Sequence, residues 1–217
     1  MKNSDELKAE WINLVSKFSD DERQIKDTFE LIVQFYSSSS RYYHNLNHIG
    51  DMLTEGKKLF GMIDDYDSIL FSIWFHDIIY DAKRSDNEEK SSEFAGEFLQ
   101  NINYDVEKIE KVKNLILKTK NHSNIEINEG YDTKVFIDLD LLILGANDEI
   151  YRTYAENIRK EYSFVPEKIY FFERIKILEN FLSQEHIFKT EKFQKQFEKK
   201  ARKNIKSEIN SLQLLGT

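Results

Sequence analysis

Glycine and proline are nearly missing from this chain, with seven Gly and one Pro in 217 residues. Ordinary usage is roughly 7% and 5%. A β-sandwich or barrel needs turn residues about every 8–12 positions, and this composition cannot supply them. Long helices joined by short polar connections tolerate the shortage. The fold class expected is therefore all-α.

Hydrophobic spacing supports that reading nearly throughout. Leu7, Trp11, Leu14, Val15 and Phe18 recur at intervals of three and four and make one apolar stripe. Asp20 or Asp21 can cap a second helix that carries Ile25, Phe29, Ile32, Val33 and Tyr36. A third helix is expected from His44 to about Phe60, and a strongly apolar one from Ile69 to Tyr80. Further helices are expected near 88–99, 106–120, 147–162, 166–184 and 190–214, with Pro166 in the first turn of its helix. His122 to Thr133 reads as a loop. The apolar run from Val135 to Leu144 fits strand or helix by pattern alone. The sum is nine or ten helices in a single domain over residues 1–217, with a core at about 20–145 and a helical C-terminal extension at about 147–217.

Composition narrows the function. Apolar residues make up 40% and aromatics 13%, enough for a sizeable core. Cysteine is absent, which excludes disulfides, Cys-based zinc or iron–sulfur sites and a Cys nucleophile. A formal charge of −8 argues against a nucleic-acid coat, because such binding runs on phosphate neutralisation by Lys and Arg. No apolar run approaches the roughly 18 residues of a membrane span. A cytoplasmic protein is expected, with no membrane partner.

The chemistry concentrates in few residues. Of five His, four fall between residues 44 and 122. His44 and His48 are four apart and would share a helix face. His76 and Asp77 sit together in the apolar stretch Trp74–Tyr80, and Asp138 and Asp140 in another, Phe136–Leu142. An ionised carboxylate in such a setting is costly unless paired, and a metal ion is the simplest partner.

The order His48, His76-Asp77, Asp140 resembles the HD-domain superfamily of metal-dependent phosphohydrolases. Arg41–Ile49, Trp74–Tyr80, Asp86–Ser91 and Asp138–Gly145 are similar to a bacterial family of predicted metal-dependent HD phosphohydrolases, and the similarity covers nearly the whole chain. The resemblance implies an HD-like helical bundle in which His48, His76, Asp77 and Asp140 bind one divalent metal. Asp138 is the alternative last ligand, because two residues on a helix separated by two point in different directions. Asp140 is preferred because Leu142 follows it, as is common in the superfamily. His44 would lie beside the metal site.

Two imidazoles and two carboxylates suit Mn²⁺, Fe²⁺, Co²⁺, Ni²⁺ or Zn²⁺, and Mg²⁺ is admissible. Only His122 lies between the His-Asp pair and the last Asp, where two-metal members carry two further His, so a mononuclear site is expected. The implied activity is hydrolysis of a small phosphorylated metabolite, a nucleotide in the first instance. Asp77 would orient the attacking water, and Glu88 would act as general base or acid. His44, Asn87, Lys120, His122 and Arg159 are the candidate substrate contacts. Glu88 also reads as a helix N-terminal acid, and His122 as a helix C-terminal cation. The alternative function is a non-catalytic module that keeps the metal and binds a nucleotide or a protein partner. The aromatics Tyr170, Phe171 and Phe172 read as a homodimer surface or as further core.

Overall fold

Short polar side chains, rather than glycine or proline, punctuate the chain. Asn3, Asp21, Asn45, Asp65, Asp105 and Asn147 each stand at a helix start and accept a backbone N–H from two or three residues further on. Each such cap is worth about 1 kcal/mol. Asn103 takes the one left-handed position found outside glycine among the described residues, at φ 54°, a conformation that Asn tolerates better than most. The computed structural model describes residues 2–122 and 129–216. Among these there is no strand, and ten helices carry most of the chain. The protein is all-α. None of the described helices is long and apolar enough to cross a membrane.

Met1–Lys120 form one compact unit. It contains α1 (Ser4–Val15), α2 (Glu22–Tyr36), α3 (Leu46–Lys57), α4 (Tyr66–Phe75), α5 (Asn87–Asn101) and α6 (Val106–Lys118). Helix α4 packs against α3, α5 and α6. Its sequence dictates that place, because a helix that is apolar on nearly every side has to be buried. Ile69, Phe71, Ile73, Trp74 and Phe75 are all buried. Trp11 of α1 meets Phe71, Trp74 and Phe75 edge-on, with its ring 5.5 Å from that of Trp74. Its indole N–H donates to the Ile25 carbonyl at 2.9 Å, so the large ring is buried with its polar atom satisfied.

Two boundaries beside the candidate site residues differ from the sequence expectation. Helix α3 begins at Leu46 rather than His44, because Asn45 is its cap. Helix α4 ends at Phe75 rather than Tyr80. The chain beyond it is held instead by Arg41, whose guanidinium donates to the carbonyls of Asp77 at 2.6 Å and Ile78 at 2.8 Å.

Asn121–Thr217 form the second unit. It contains α7 (Tyr131–Asp140), a 3₁₀ turn (Leu141–Gly145), α8 (Asp148–Glu161), α9 (Glu167–Ser183) and α10 (residues 191–216). The apolar run whose pattern fitted strand or helix is helical. Helix α10 carries a π turn, Gln194–Glu198, between Glu191–Phe193 and Lys199–Gly216. A side chain at Gly145 would put its Cβ 2.6 Å from that of Phe197 in this turn, so only glycine lets the two segments approach. Pro166 is the N-cap of α9, one position earlier than expected. Tyr170 and Phe171 are core, whereas Phe172 is exposed. Arg174, itself buried, is neutralised by Glu208 at 2.8 Å, and the Tyr151 hydroxyl donates to the same carboxylate at 2.6 Å.

Candidate metal centre

The His-Asp pair lies at the C-terminal end of α4, not within it. His76 is the residue that caps the helix, and Asp77 follows in the turn. His48 sits in the first turn of α3. The packing of α3 on α4 brings the three together: His48 Nε2 is 3.2 Å from His76 Nε2, and His76 Nε2 is 3.1 Å from Asp77 Oδ2. One ligand atom from each residue lies within 4.8 Å of the other two. His76 is 1% exposed and His48 6%, so water contributes little to holding these groups.

The hydrogen bonds around the rings decide what the Nε2 atoms can do. His76 Nδ1 lies 3.0 Å from the Ile73 carbonyl. A carbonyl only accepts, so Nδ1 carries the proton and Nε2 of the neutral ring presents a lone pair. His48 Nδ1 is held 3.1 Å from the Tyr43 hydroxyl. Two ring nitrogens and a carboxylate oxygen therefore converge, and each imidazole is oriented by a partner on its far side. The two Nε2 atoms are 3.2 Å apart, a distance at which they can share one proton or flank a common ion. An N₂O donor set of this kind fits a first-row divalent ion. His48, His76 and Asp77 could hold a metal ion.

The remaining residues expected at a site are placed as follows. His44 is in the turn before α3, not one helical turn before His48. Its ring stacks on Tyr80 at 4.2 Å and lies 6.4 Å from the His48 ring. Glu88 is half-buried in the first turn of α5. The Asn87 amide closes the loop before α5, accepting from the Asp81 N–H at 3.1 Å and donating to the Asp81 carbonyl at 2.9 Å. Lys120 binds the Ser85 carbonyl at 2.8 Å and the Glu89 carboxylate.

In the second unit, Asp140 is the last residue of α7 and faces His122, with Oδ2 2.7 Å from His122 Nε2. Its place as last metal ligand rests on the sequence pattern alone. Asp138 has a different task. It is fully buried, and its two oxygens accept the N–H of Lys189 at 2.5 Å, the N–H of Thr190 at 2.8 Å and the Thr190 hydroxyl at 2.7 Å. Burial pushes its carboxyl up to about 6 despite these bonds. Arg159 donates to the carbonyls of Tyr162 and Val165 at 2.7 and 3.2 Å and lies over the Tyr170 ring. Residues 123–128 of the expected loop lie outside the described residues.

Three contacts were not anticipated from the sequence: the Tyr43 hydroxyl on His48, the Arg41 clamp on the end of α4, and the His122–Asp140 pair. Tyr43 and Arg41 fall within the Arg41–Ile49 motif, so the motif signalled them without assigning their tasks. Compared with protein-family models, curated proteins and solved structures, the chain finds no match.

Proposed function

We propose that this protein is a metal-dependent phosphohydrolase acting on a small phosphorylated metabolite, with nucleotides the first class to test. The observation that carries the reading is the buried convergence of His48, His76 and Asp77, with ligand atoms within 4.8 Å of one another. His48 and His76 would hold the ion through Nε2, and Asp77 through its carboxylate. A divalent ion in such a donor set polarises a phosphoryl oxygen and lowers the pKa of bound water. Asp77 would also orient the water, and Glu88 would move a proton at the attacking or leaving oxygen.

The test is phosphate release from nucleoside mono-, di- and triphosphates and sugar phosphates in Mn²⁺, Co²⁺ or Mg²⁺, with Asp77→Asn as control. Cyclic dinucleotides are read by chromatography. Release is expected from wild type and not from the variant, and metal content is measured on both. A substrate turned over equally well by Asp77→Asn would sink the reading.

A second reading has its own support. Arg41, Lys120 and Arg159, cations suited to phosphate, are engaged with backbone carbonyls or a carboxylate. A module that keeps the metal without catalysis fits that, and its signature is bound metal with silence across the panel.

A further inference from the structure

A concave site in the first unit is lined by none of the three metal-binding candidates, His48, His76 and Asp77. It is a cavity of about 330 Å³ that opens among α1, α3 and α4. Leu14, Leu53 and Trp74 form its buried floor, and Leu70 and Phe60 its apolar walls. The volume is at the lower end of the roughly 300–1,000 Å³ typical of small-ligand sites, which favours a compact, mostly apolar ligand.

The polar lining sets the ligand's charge. Two lysines, Lys17 and Lys57, and one carboxylate, Glu10, line it. Glu10 is paired with Lys2, and Lys17 with Asp67 at 2.5 Å. Lys57, the last residue of α3, makes no ion pair with any of the described residues and is the cation available to an incoming group. Tyr66 lines the same cavity. Burial, with Glu10 and Asp67 nearby, pushes its phenol up to about 12, so it stays protonated and can donate. An apolar floor, one uncommitted ammonium and a hydroxyl donor together describe a receptor for an apolar body ending in a single anionic group.

We propose that this cavity binds a small apolar monocarboxylate, its chain or ring seated on Leu53, Leu70 and Trp74 and its carboxylate met by Lys57 and Tyr66. The inference does not depend on the metal centre.

Octanoate and its uncharged counterpart 1-octanol serve as probes, titrated calorimetrically into the full chain up to roughly 10 mM, a range that covers even millimolar affinities. Saturable octanoate binding is expected. Lys57→Gln, a change on the protein's exterior, should weaken octanoate by roughly fivefold, the scale of one partly screened charge pair, and leave octanol unchanged. Leu70→Phe, which fills the cavity, should abolish both. An absence of saturable octanoate binding to wild type overturns the proposal. So does equal octanoate affinity in Lys57→Gln, or wild-type binding by a folded Leu70→Phe.

Discussion

Asp138 and Asp140 are the same residue type, two positions apart on α7, and their surroundings are opposite. Asp140 is partly exposed and faces His122. Asp138 is fully buried and holds the chain at Lys189 and Thr190, 51 and 52 residues further on. Nothing local in the sequence shows this tethering task, because the partners of Asp138 are backbone N–H groups that only the folded unit brings near. Asp138→Asn keeps the shape but turns an amide N–H₂ toward groups that are themselves donors. A buried donor left unpaired costs about 1–3 kcal/mol, so a stability loss of about 2 kcal/mol is expected in urea unfolding at pH 7. Wild-type stability in the variant would show that the tether contributes nothing.

At the scale of an element, the end of α4 sets the geometry of the metal candidates. Its apolar run continues to Tyr80, so periodicity reads helix through His76 and Asp77. The helix stops at Phe75, and Arg41, 36 residues before Asp77, binds the carbonyls that follow. That contact is invisible to any local pattern, whereas the existence of α4 and its burial follow from its apolar sequence. The helices of the second unit were legible for the same reason, and the apolar run at 135–144 was ambiguous because it is too short for periodicity to decide. Arg41→Met keeps much of the apolar stem but leaves the carbonyls of Asp77 and Ile78 without this donor. The expected loss is about 2–4 kcal/mol in urea unfolding. Metal affinity should fall with it, since Asp77 loses its anchor. Equilibrium dialysis checks that second effect, and unchanged affinity would show that the clamp does not position Asp77.

At the scale of the molecule, the shortage of glycine and proline determined the fold class, and Asn and Asp caps supply the turns those residues would have made. In the sequence, His76 and Asp77 stood out as polar groups in an apolar run that demand a partner, and His48 through the motif resemblance. The sequence could not show that their ligand atoms converge. That convergence makes a thermal prediction. Both tryptophans, Trp11 and Trp74, belong to the unit that carries the three residues, and their rings are 5.5 Å apart. Tryptophan emission therefore reports unfolding of that unit alone. An ion that binds only the folded state, supplied at about a hundred times its Kd, adds about 2.7 kcal/mol. In a chain of this size each kcal/mol moves the midpoint by about 2–4 °C. The emission midpoint should rise by about 5–10 °C with Mn²⁺, Co²⁺ or Zn²⁺ and return with excess EDTA. Asp77→Asn should show no rise, because removing one donor leaves two imidazoles without the charge that neutralises a divalent ion. A wild-type midpoint that no divalent ion moves would mean that the three residues are an internal hydrogen-bonded cluster rather than a metal centre.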